Sequence, residues 1–235
     1  MRGFFIYIHM ILSKLIYDVR EGIKQYQDDT EVDDRHIMHL FNIKRAKYLR
    51  QELNNLQRSI DISITQSFCE GLEEVSINQC NLDFVCGKIL RTKRPIPQAL
   101  ELHLAPAITS VKPTNITSLP FNFLPKERAL YHQFSPFKNS IYSFLNDDGY
   151  IYLISENKGL RLIECITVSG VFEDPLELKI YNNCCGCEIP APCFDINSTD
   201  YPLQSHYIDL IKIEIISEYV KLLQIPEDKT NDSND

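Results

Sequence analysis

Apolar residues recur at three- and four-residue spacing through Leu12, Leu15, Ile16, Val19, Ile23 and Tyr26, which places them on one helical face. The run stops at Gln27-Asp28-Asp29. Thr30 followed by Asp33 has the form of a capping box, with Glu31, Asp33 and Asp34 set to meet the positive end of a helix. A second apolar stripe through Ile37, Leu40, Phe41, Tyr48, Leu49, Leu53 and Leu56 predicts a helix over about residues 31–57. Lys44, Arg45, Lys47 and Arg50 fall in its later half. So short a turn between the two predicts an antiparallel helical hairpin.

From Ser59 the period changes from helical to alternating. Ile60, Ile62 and Ile64 alternate with Ser59, Asp61 and Ser63, as do apolar and other positions in Ala99 to Leu104; both read as strands. Ile141–Leu145 and Tyr150–Ile154 flank Asn146-Asp147-Asp148-Gly149, a hairpin with positive-φ turn residues available. A further strand is expected from Leu162 to Val171. Prolines at 95, 97, 106, 113, 120, 125 and 136 exclude long helices from this section. Residues 60–180 therefore read as a small antiparallel β barrel or sandwich with a loop near 112–138.

Helical spacing returns after Thr199-Asp200-Tyr201-Pro202, a capping segment with proline at a helix start. Twelve of the 21 residues from Leu203 to Leu223 are large and apolar, too many for one face, so several sides require cover. One helical hairpin offers little of it, and a second subunit is the natural source. The expected contact residues are Leu203, Tyr207, Leu210, Ile211, Ile215, Tyr219 and Leu222. The whole reads as α+β: a helical hairpin (1–58), a β domain (59–182), a cysteine-rich loop (183–198), a C-terminal helix (199–225) and a polar tail (226–235).

Composition adds bounds. The 235 residues carry a net charge of −8, with 44% hydrophobic and 24% charged positions, a globular balance ill suited to gripping phosphate backbones. Eight cysteines are present, four of them between Cys184 and Cys193; a secreted domain would spread its pairs more evenly. A reduced, cytoplasmic assembly compartment is expected. Phe4-Phe5-Ile6-Tyr7-Ile8 is interrupted by His9, Ser13 and Lys14, is too short to span a bilayer, and reads as the first turns of a helix rather than a signal segment.

Candidate chemistry is thin. Cys184, Cys185, Cys187 and Cys193 offer four thiolates, the donor set of structural zinc, but all lie within one ten-residue loop where such sites normally use two separated pairs. Free surface thiols are the plainer reading. Their zinc form, a regulatory or nucleic-acid-binding module, is the alternative function. His36 and His39, near Asp33, have ligand spacing yet also suit solvated positions. Nucleophile elbow, phosphate loop, dinucleotide and zinc-protease patterns are absent, and eight glycines leave little for phosphate cradles. Glu173-Asp174 before Pro175 suits a turn more than an acid pair, and Lys88 to Arg94 a solvated strand edge. No catalytic residue, cofactor or enzyme activity is expected.

Several stretches together carry a resemblance: Ile37 to Leu53, the hairpin 141–154, Val168 to Pro175 with its Val-Phe-Glu-Asp-Pro corner, Tyr201-Pro202, and the closing helix ending Leu222-Leu223-Gln224-Ile225-Pro226. In this order they resemble the ring, or head–tail adaptor, proteins of crAss-like short-tailed bacteriophages. The resemblance implies a virion subunit at the head–tail junction, assembled in the host bacterial cytoplasm. It implies about twelve copies in a cyclic ring, contact with the portal protein and another tail ring protein, and a channel for genomic DNA without sequence-specific binding or a membrane. It transfers no catalytic residue.

Overall fold

The computed structural model describes residues 11–26, 32–55, 61–75, 88–114, 119–131, 140–156, 158–181 and 200–223. The cysteine-rich loop, the polar tail and the segment before Ile11 lie outside these. Two compact units divide the chain, Met1–Tyr48 with Asp195–Asp235, and Leu49–Phe194.

The first unit is built from helices. Helix α1 (Leu12–Lys24) buries Leu12, Leu15, Ile16, Val19 and Ile23, the face its spacing predicts. Ile11 ahead of it is extended, at φ −69 and ψ 131, and bridges antiparallel to Asp200; Phe4 to Ile8, expected as first turns of a helix, lie outside the described residues. Helix α2 (Asp34–Asn55) is capped by Asp33, whose Oδ1 accepts the Arg35 N–H at 3.0 Å; Thr30 lies outside the described residues. Helix α4 (Ser205–Leu223) begins late. The residues around Tyr201-Pro202 form a turn instead, with the Leu203 N–H donating to the Tyr201 carbonyl at 2.9 Å.

The second unit holds β1 (Gln66–Val75), β2 (Lys88–Thr92), β3 (Ile108–Pro113), β4 (Asn122–Phe123), α3 (Lys126–Tyr131), β5 (Tyr142–Leu145), β6 (Ile151–Ser155) and β7 (Cys165–Gly170). They form one seven-stranded sheet in the order β3-β7-β1-β2-β6-β5-β4. Every pairing is antiparallel except β4 with β5. β1 pairs with β7 through Gln66–Gly71 and with β2 through Leu72–Val75, so one long strand serves both halves. The ends meet where the Phe121 N–H donates to the Val111 carbonyl at 2.7 Å, leaving a nearly closed, barrel-like sheet.

Its interior is apolar, from Phe68, Leu72, Val111, Leu153, Val168 and Phe172. A second cluster joins Ile89, Tyr142, Phe144, Tyr152 and Ile154 to Ala129 of α3, covering one outer face. Gly149 turns the β5–β6 hairpin at φ 79, a backbone region that suits glycine. Gly170 is a close approach, since a Cβ there would sit 2.6 Å from the Ala107 carbonyl oxygen.

Three expectations fail locally. Ile62 to Ile64 is a turn, not a strand: Asp61 accepts the Ser63 N–H at 2.9 Å, an Asx turn that outcompetes the ladder. Ala99 and Glu101 make isolated bridges to Phe172 and Pro106. The expected loop near 112–138 contains β4 and α3.

Candidate interaction surface

In the helical unit, α4 divides its many apolar residues between two fates. Ile208, Ile211 and Ile215 are buried, with Leu203 just before the helix. Ile216 reaches α1 at Gly22, where a Cβ would sit 2.5 Å from its Cδ1. Leu210, Ile213 and Leu222 are instead 49%, 65% and 62% exposed. With His206, Ser217 and Val220, Leu210 and Ile213 follow a four-three-four-three spacing, one continuous stripe along the helix. Tyr207 and Tyr219 are half-buried, lying against Tyr48 at 5.4 Å and edge-on to His36 at 5.7 Å. Of the expected contact residues, Leu203, Ile211 and Ile215 thus spend their surface inside the unit, and Leu210 and Leu222 keep theirs, joined by Ile213.

Polar side chains fix the helices beneath this stripe. The Lys44 ammonium donates to Glu214 at 3.2 Å and to Glu218, and Lys47 donates to Glu214 at 2.7 Å. Burial works against the Lys44 charge, but Glu218 and Glu214 outweigh it and its pKa is raised. Hydrogen bonding from Lys47 leads the lowering of the Glu214 pKa, with burial opposing and Lys44 assisting. Arg45 is fully buried, its Nε donating to the Pro202 carbonyl at 2.8 Å, and the Tyr201 hydroxyl donates to Asn42 at 2.8 Å. Lys212 pairs with Asp18, and Arg20 with Asp34. These charges are committed within the unit.

Arg91 and Arg94 of the basic run in the barrel are committed likewise. β2 lies inside the sheet between β1 and β6, so Lys88 to Arg94 is not the solvated strand edge expected. Arg91 faces Glu73 across the β1–β2 ladder at 2.7 Å and lies 4.7 Å over the Tyr150 ring. Glu70 is 4% exposed, and Arg94 Nη2 donates to its carboxylate at 2.7 Å. Arg94 also covers the Tyr181 ring at 4.7 Å, while the Tyr181 hydroxyl donates to the Pro95 carbonyl. A carboxylate so buried requires such a partner.

The Val171–Pro175 corner is structural. Phe172 packs edge-on against Phe68 at 5.5 Å, the Glu173 N–H donates to the Gln98 carbonyl, and Arg50 pairs with the Glu173 carboxylate. Asp174 accepts the Leu176 N–H at 2.8 Å, the turn expected before this proline. Asp33 is occupied as a cap and His36 as a ring contact. Among the described residues no group of His, Cys, Asp and Glu is arranged to hold a metal. Cys184, Cys185, Cys187 and Cys193 lie outside them. Of the described cysteines, the Cys69 sulfur lies 3.6 Å from the Thr167 hydroxyl, and Cys165 is disulfide-bonded. No helix among the described residues is long and apolar enough to cross a membrane.

Sequence reasoning missed a second surface. Where β3 and β4 approach, a groove of about 530 Å³ is lined by Ile108, Thr109, Ser110, Phe121, Phe123 and Tyr142 among others. Phe121 and Phe123 stay partly exposed beside Leu119, which is 85% exposed. β3 and β4 follow one another in the chain, but β4 is only two residues long, too short for periodicity to announce it.

The stripe leaves apolar surface available to neighbours. A family model described as phage tail ring protein 2 matches residues 14–235. Ring protein 2 of Bacteroides phage crAss001 is 24% identical over 230 residues, 96% of this chain and 97% of that protein. A ring is made of repeated subunits, so self-association comes with the family. The chain belongs to the phage tail ring protein 2 family and is a structural ring protein of a bacteriophage.

Proposed function

We propose that the chain is a non-enzymatic connector subunit that joins the portal to the tail and surrounds the DNA exit channel. About twelve copies form the ring, set between the portal and another tail ring protein at the head–tail junction. Assembly takes place in the host cytoplasm. The observation that carries this reading is the exposed α4 stripe of Leu210 and Ile213 on a helix whose opposite side is fully packed. Adjacent exposed apolar residues beside a fixed scaffold mark a protein contact more often than a reactive site. In a cyclic ring each subunit presents two different faces to its neighbours, and the stripe supplies one of them.

DNA transit also fits a chain of net charge −8, since a conduit requires weak backbone contact. The test is reconstitution with the phage's portal, read by mass photometry and negative-stain images. A complex of fixed stoichiometry with cyclic symmetry is expected. Free monomer beside free portal at micromolar concentration counts against the connector role.

A further inference from the structure

We draw no further inference here: the strongest candidate, the groove of about 860 Å³ beside the 101–106 loop that Glu101, Asp147 and Glu177 help to line, is an acidic cluster in which Asp147 already pairs with Lys126 and no second observation points to a ligand.

Discussion

The barrel and the helical unit use apolar side chains differently. In the barrel, the interior around Phe172 and Leu153 is closed by the sheet, and α3 with Ala129 covers Phe144 and Tyr152 outside. Its charged residues are paired strand to strand, as Glu73 with Arg91. The helical unit packs only one side of its last helix. Ile211 and Ile215 are fully buried while Ile213, between them in sequence, is 65% exposed. One region pairs its charges and encloses its apolar side chains, and the other leaves apolar surface exposed along a helix.

The largest expected effect breaks the barrel. Phe172→Ala removes a fully buried ring that packs against Phe68, and a loss of about 3–5 kcal/mol is expected in urea unfolding. A loss below about 1 kcal/mol shows that the corner collapses around the gap. Next comes the ionic layer of the helical unit. Lys44→Met leaves Glu218 without this partner and Glu214 with Lys47 and the Tyr48 hydroxyl. A cost of about 1–3 kcal/mol is expected, and an unchanged urea midpoint removes the claim that this cluster fixes α4.

The same layer sets a pH dependence whose sign follows from Glu214. Its folded pKa is depressed below the ordinary 4.5, so the unfolded chain takes up the proton first as pH falls. The contribution is full above about 4.5 and is lost as pH falls through the lower folded value. Lys44 acts at the other end: its folded pKa lies above the ordinary 10.5, so its contribution is full below that and lost as pH rises through the folded value. Thermal melts of wild type and Glu214→Gln from pH 6 downward check the acid arm. Parallel curves for the two contradict it.

How much of this was written in the sequence depends on the range of the interaction. The faces of α1 and α2 and the hairpin around Gly149 follow from local spacing and turn chemistry, and they stand where spacing puts them. Ile62 to Ile64 misled because Asp61 captures nearby backbone and side-chain groups, a local competition that alternation does not register. Arg91 and Arg94 looked solvated because their neutralising partners, Glu73 and Glu70, lie on a different strand. The cover of α4 was underestimated for a similar reason. Gly22 lets α1 and Ile216 approach closely, so the contact residues expected on the helix divide into packed and available sets. The seam groove lies beside a strand only two residues long, too short to leave a periodic trace.

The smallest expected change in stability carries the most information about function. Leu210→Asp with Ile213→Asp alters exposed positions, so the isolated chain should unfold within about 0.5 kcal/mol of wild type. Mass photometry of this variant mixed with the portal is the direct measurement of the account. Wild type is expected to form a complex of fixed, ring-like stoichiometry, and the variant to remain monomeric at the same concentration. A variant that assembles as well as wild type would show that the exposed face of α4 is not the subunit contact.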